Sequence, residues 1–151
     1  MQLSRSLEQA CCVLGVIAMH NGKAITIAEL NDRMDVSLSY LSKVTRKLVV
    51  AGLIRSTQGV NGGYVIAKPM KQISLRMVVE AIEGAKPFFC PSGVIERVFV
   101  SQKQAAKKSV SLIAQSFYEA EAVWRSQLEN TTMQQVVDSA ISGNKKGEIA
   151  E

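Results

Sequence analysis

Between residues 38 and 51 the chain sorts its side chains onto two faces, and a hairpin pattern follows at once. Leu41, Val44, Leu48 and Ala51 fall at i, i+3, i+7 and i+10, an inward stripe, whereas Ser39, Ser42, Lys43, Arg46 and Lys47 fall at i, i+3, i+4, i+7 and i+8. On a helix the second set forms one polar and basic outer face. Ser37 stands where an N-cap belongs and Gly52 at the C′ position, so both ends of this helix are marked. Leu53 to Thr57 then reads as a strand, Gln58-Gly59-Val60-Asn61-Gly62-Gly63 as a turn, and Tyr64 to Lys68 as the returning strand. The glycines permit positive φ and leave the tip without bulk. They lack a following Lys-Ser/Thr and open a strand rather than a helix, so a phosphate-binding loop is not expected.

What precedes this helix completes a motif. Leu3 to His20 has helical spacing, with Leu3, Leu7, Ala10, Leu14 and Ile17 on one face. Cys12, Val13, Val16 and Met19 make the other side apolar as well, which predicts a helix buried on two sides. Asn21-Gly22 ends it. Thr26 and Glu29 form a capping-box pattern ahead of a short helix bearing Ile27, Leu30 and Met34. Two short helices about three residues apart, the second with a basic outer face, make a helix-turn-helix pattern. The hairpin is then a wing, whose tip can approach the sugar-phosphate backbone or the minor groove.

Charge agrees with this layout. Residues 1–75 hold nine Lys/Arg against four acids, while residues 76–151 hold nine of each, so the whole net charge of +5 lies in the first half. No acid occurs between Asp35 and Glu80, a stretch with seven basic residues. Such a segment attracts a polyanion. A solvated basic face without a partner is the alternative that composition leaves open.

Further along, Ser74 caps a helix with Leu75, Val78, Val79 and Ile82, stopped by Gly84; Ala85 to Gly93, with Pro87, Cys90 and Pro91, reads as a loop. Val94 to Glu129 is helical in pattern, as one helix or two. Its second half carries Ile113, Phe117, Ala120, Trp124 and Leu128 at steps of 4, 3, 4 and 4. That stripe suits a dimer interface, or packing within the chain. Thr132 and Gln135 mark a last helix through Ile141. The expected fold is therefore mainly α with a small β-hairpin wing: a winged helix-turn-helix unit (1–84), a loop (85–93), dimerisation helices (94–142) and a flexible tail (143–151).

Other classes fall away. The longest apolar run, Ala10 to Met19, has ten residues, about half of a membrane span. No basic leader with a small-residue cleavage site opens the chain, and three cysteines, two of them adjacent, suit a reducing cytoplasm better than a disulfide framework. No Ser-His-Asp set or metal-ligand spacing is present, and the single His20 sits at a helix end, so an enzyme is not expected.

Val36-Ser37-Leu38-Ser39-Tyr40-Leu41, Ala51-Gly52-Leu53-Ile54, Gly62-Gly63-Tyr64, Glu80-Ala81-Ile82-Glu83-Gly84 and Thr131-Thr132-Met133, together with Leu48, Ser56, Gly59, Trp124 and Leu128, resemble the bacterial winged-helix regulators that include IscR, NsrR and CymR. The likeness covers nearly the whole chain. It implies a homodimer on a palindromic operator in double-stranded DNA, paired along a long C-terminal helix, with a sensor in the loop between. Carried over by position, Ser37, Ser39, Tyr40, Ser42 and Lys43 would lie in or beside the major groove. Arg46 and Lys47 would face phosphates, and Gln58 and Asn61 would sit at the wing tip. Packing beneath the helix is the other reading of Tyr40. Gln58 stands where the family often has arginine, which weakens minor-groove insertion.

The sensor region departs further. Cluster-binding relatives place three cysteines there and a further ligand near the start of the long helix, whereas this chain has Cys90 alone, Tyr118 where the last cysteine would fall, and no His after residue 20. An iron–sulfur cluster needs about four good ligands, so none is expected. Cys11 and Cys12 point about 100° apart on a helix and cannot substitute. Cys90 is a redox sensor, with Lys86 and Arg97 favouring its thiolate, or an idle loop cysteine. Phe88, Phe89, Phe99, Phe117 and Trp124 line an effector pocket or are core. The expected function is a cluster-free dimeric repressor responding to a small molecule or a protein effector. A winged-helix module that binds protein is the alternative.

Overall fold

The computed structural model describes residues 3–144 and divides them into two compact units, one made of the chain up to Gly84 and from Leu128 onward, the other of Ala85–Gln127. In the first unit, α1 (Arg5–Ala18), α2 (Ile27–Met34), α3 (Leu38–Val50), β1 (Ile54–Thr57), β2 (Gly63–Ile66) and α4 (Leu75–Glu83) follow in order, with α7 (Met133–Asn144) closing the chain. Their core is Ala10, Val13, Leu14 and Ile17 of α1, Leu30 of α2, Leu41, Val44 and Leu48 of α3, and Val78 and Ile82 of α4.

The helix ends follow their sequence marks with one exception. Thr26 accepts from the Glu29 amide while the Glu29 carboxylate accepts from the Thr26 amide at 2.7 Å, a complete capping box. Ser74 caps α4 through the Met77 amide, and Gly52 takes the left-handed φ of +66° just past α3. Ser37 has the extended backbone of an N-cap but its hydroxyl caps nothing. On the first helix Val13, from the second apolar side, enters the core beside Ala10, Leu14 and Ile17, whereas Cys12 is exposed and Met19 is 59% exposed within the chain.

The hairpin pairs Ile54 with Ile66 and Thr57 with Gly63. It gains a third member that sequence periodicity does not announce. Ile25 bridges Tyr64, with N–H···O distances of 3.0 and 2.8 Å in the two directions. This bridge explains Gly63, and the turn itself explains Gly62. A Cβ on Gly63 would stand 2.5 Å from the Ile25 carbonyl oxygen, and one on Gly62 would stand 2.6 Å from the Thr57 carbonyl oxygen.

The last helix departs from the expected division. Met133 is fully buried in the first unit's core, its amide donates to the Ile73 carbonyl at 2.7 Å, and the Leu75 amide donates to Thr131 at 2.8 Å. Thus α7, grouped with the dimerisation helices from sequence, packs on α1 and beside Ile73 instead. It also continues through Gly143 and Asn144, where a tail was expected; residues 145–151 of that tail lie outside the described residues.

In the second unit, α5 (Val94–Val98) and a 3-10 turn (Val100–Gln102) precede α6 (Lys103–Glu129), whose last two residues belong to the first unit. The helical segment is therefore broken, at Phe99 (φ −102°, ψ 48°). No helix among the described residues is long and apolar enough to cross a membrane.

Candidate nucleic-acid interface

On α3 the sequence stripe becomes a surface. Ser39, Ser42, Lys43 and Arg46 are exposed, while Leu41, Val44, Thr45 and Leu48 are buried beneath them. Thr45 is tolerated inside because its hydroxyl donates to the Leu41 carbonyl at 3.1 Å. The Ser42 hydroxyl donates to the Leu38 carbonyl at 2.8 Å, so its oxygen is left as an acceptor. Gln58, Val60 and Asn61 are exposed at the wing tip, and Arg55 is exposed on β1. Ser37 is exposed just before α3.

Two of the expected contacts are engaged elsewhere. Tyr40 is half-buried, packs against the core, and hydrogen-bonds through its hydroxyl to the Ser6 hydroxyl on α1, the contacts of the packing reading. The Lys47 ammonium donates to the Ile82 carbonyl at 2.5 Å, near the C-terminus of α4, where helix carbonyls lack partners. Arg76 likewise turns away, pairing with Glu129 at 2.7 Å and with Glu80. Of the basic residues between Asp35 and Glu80, this leaves Lys43, Arg46, Arg55 and Lys71 exposed to a polyanion. The sequence reading passed over Leu38 and Val60, apolar residues that are 52% and 105% exposed within this surface.

In the second unit, two residues of the stripe assigned to dimer contact, Phe117 and Trp124, meet the preceding loop. The Trp124 ring meets Phe88 edge-on with centroids 5.0 Å apart, and Phe117 stacks on Phe89 at 5.4 Å. Glu121, between them on the helix and 8% exposed, accepts from the Phe88 amide at 3.0 Å and from Arg125 at 2.9 Å. Those hydrogen bonds, the Phe88 amide foremost, hold its carboxyl below the usual range despite burial. A carboxylate placed four residues after Phe117 and three before Trp124 was the one sequence sign of this arrangement. Ile113 is half-buried in this unit, Leu128 is half-buried in the first unit, and Ala120 is exposed. Exposed apolar side chains of α6 lie on more than one face: Leu112 at 69% and Val123 at 72% on one, Phe117 at 46% on the aromatic stripe itself, and Tyr118 at 73%.

Among the described residues no three His, Cys, Asp or Glu side chains stand together to hold an ion. Cys90 is exposed in the loop of the second unit, while Cys11 and Cys12 lie on α1 in the first. Burial pushes the Cys11 thiol up to about 11 and raises Cys12 too, with Glu8 adding to both, which makes them poor ligands and poor nucleophiles.

A helix pair with a basic second helix, a hairpin behind it and the Ile25 bridge onto that hairpin define a winged helix-turn-helix DNA-binding unit. The model of the Rrf2 family, described as iron-dependent transcriptional regulators, matches residues 3–139, and the chain belongs to that family. YwgB of Bacillus subtilis, named as an HTH-type transcriptional regulator, is 31% identical over 91% of this chain and 85% of its own. YffB of Lactococcus lactis, similarly named, is 34% identical over 91% and 88%. The oxidized form of Staphylococcus aureus CymR shares the fold, with a TM-score of 0.61 at 23% identity over 91% of this chain and 96% of that one. These relatives are transcriptional regulators and not enzymes. The resemblance to the IscR and CymR group is thereby confirmed.

Proposed function

We propose that the protein is a cluster-free, homodimeric repressor that acts in the cytoplasm by occupying a palindromic operator near a promoter. The observation that carries this is the exposed set Ser39, Ser42, Lys43 and Arg46 on one face of α3, beside a wing with a glycine-relieved tip. Hydroxyls and an ammonium suit base edges in the major groove, and Arg46 suits a phosphate. Fluorescence anisotropy against fragments from around its own gene tests the reading. Binding should differ between fragments and weaken with salt, each neutralised phosphate adding about −0.9 to the log–log slope. Equal, salt-indifferent binding to every fragment favours a protein-interaction module instead.

Pairing is placed, in this reading, on the Leu112–Val123 face of α6, the more exposed of its two apolar lines. Leu112 and Val123 are three turns apart on one side of the helix, with Ser109, Ser116 and Ala120 in reach of the same line. The Ser109 and Ser116 hydroxyls donate back to Ala105 and Leu112, at 3.0 and 2.9 Å, so this face presents no unpaired hydroxyl proton to an apolar neighbour. A two-fold axis would set Leu112 of one copy against Val123 of the other. Leu112→Glu with Val123→Glu should sediment as a monomer; a persistent dimer moves the seam elsewhere. The signal is read through Cys90 oxidation, a small molecule or a protein effector, and an iron assay on anaerobically purified protein should find no metal.

A further inference from the structure

Leu38 opens α3 with its side chain 52% exposed, although the helix has a fully buried apolar stripe three residues on, beginning at Leu41. It stands among the polar groups of the candidate interface, next to Ser39 and one turn before Ser42. The first residues of a recognition helix are those that reach base edges. In the major groove the one apolar feature of those edges is the thymine 5-methyl group.

We propose that Leu38 reads a thymine methyl, and that Ser42 accepts from the N6 amine of an adenine at the same or the adjoining base pair. This rests on α3 being the recognition helix. Two details favour it. Ser42 and Leu38 are i and i+4 neighbours, so both face the same stretch of groove. Because the Ser42 hydroxyl proton is committed to the Leu38 carbonyl at 2.8 Å, its oxygen faces outward as an acceptor, which matches the adenine amine. Lys43, the neighbouring donor, suits guanine O6 and N7, so the half-site should hold an A·T pair beside a G·C pair.

The test uses the full chain and a duplex enriched from a random pool. Each thymine of that duplex is replaced in turn, in both half-sites, by deoxyuridine, which lacks only the methyl. Wild type should lose about four-fold per methyl at one symmetric position and nothing elsewhere, the effect of one buried methyl. Leu38→Ala should bind the thymine and uracil duplexes alike, Leu38→Met should keep the discrimination, and Val50→Ala, exposed at the far end of α3, should keep it too. An unchanged circular dichroism melt confirms that Leu38→Ala is folded. If wild type ignores every methyl, or Leu38→Ala still senses one, the inference fails. If the pool yields no enriched duplex, or Lys43→Ala and Leu38→Ala both bind as wild type, the recognition-helix reading itself fails and takes this one with it.

Discussion

At the scale of single residues, two lysines four positions apart do different work. Lys43 is exposed on α3 with a free ammonium, whereas Lys47 holds the Ile82 carbonyl. Lys43→Ala is expected to relax discrimination at one base position by about 1–3 kcal/mol, measured by competition with single-site operator variants. Lys47→Ala should instead lower stability by about 1 kcal/mol in urea, with DNA affinity of the folded protein little changed. Periodicity placed both on the same face correctly; it could not show that a carbonyl of α4 would reach one of them first. Gly63 makes a sharper case. Gly63→Ala drives a Cβ into the Ile25 carbonyl and should cost about 2 kcal/mol or more, read as a drop in melting temperature. At Gly59 a Cβ meets nothing, so Gly59→Ala should cost only the strain of its φ of +103°, about 1 kcal/mol.

At the scale of elements, glutamates tie the ends of segments together. Glu29 caps α2, Glu83 accepts from the amide and hydroxyl of Ser4, Glu121 accepts from the Phe88 amide, and Glu129 joins Arg76 to Ser74. Each carboxyl is held below its ordinary 4.5 in the folded chain by those hydrogen bonds. The unfolded chain therefore takes up protons first as acid is added. The stabilisation is complete above about pH 4.5 and is lost as pH falls below it through the folded values. Urea midpoints should hold steady down to about pH 5 and then decline, and Glu129→Gln should flatten part of that decline. The capped helices were legible because caps are local: Thr26 with Glu29, and Thr132 with Gln135, whose side-chain oxygen accepts the Thr132 amide at 2.9 Å. The faces of α6 were not. That helix carries two apolar lines, one through Phe117 and Trp124 and another through Leu112 and Val123, and sequence alone does not say which meets the aromatic loop.

At the scale of the whole molecule, the winged unit is built from two stretches of chain separated by forty-three residues, Ala85 to Gln127. Residues 1–84 were legible as a winged helix, but the contribution of Met133 was not, since one methionine at a helix start carries no periodic signal. Met133→Ala should cost about 2–5 kcal/mol in the winged unit, the usual result of emptying a closed core site. A fragment of residues 1–84 should unfold at lower urea than residues 1–144, and equal midpoints would show that α7 is dispensable.

The buried Met133 also sets an order of events during synthesis. A ribosome must translate the second unit before it supplies the residue that completes the first, so the core under α3 and the wing is finished only after Ala85–Gln127 has been made. A nascent or prematurely terminated chain thus carries every residue of α3 and the wing without the seat that steadies them. Such products should be less stable than the full chain, so a fragment ending before Met133 should be cleaved faster by a protease than one that includes α7.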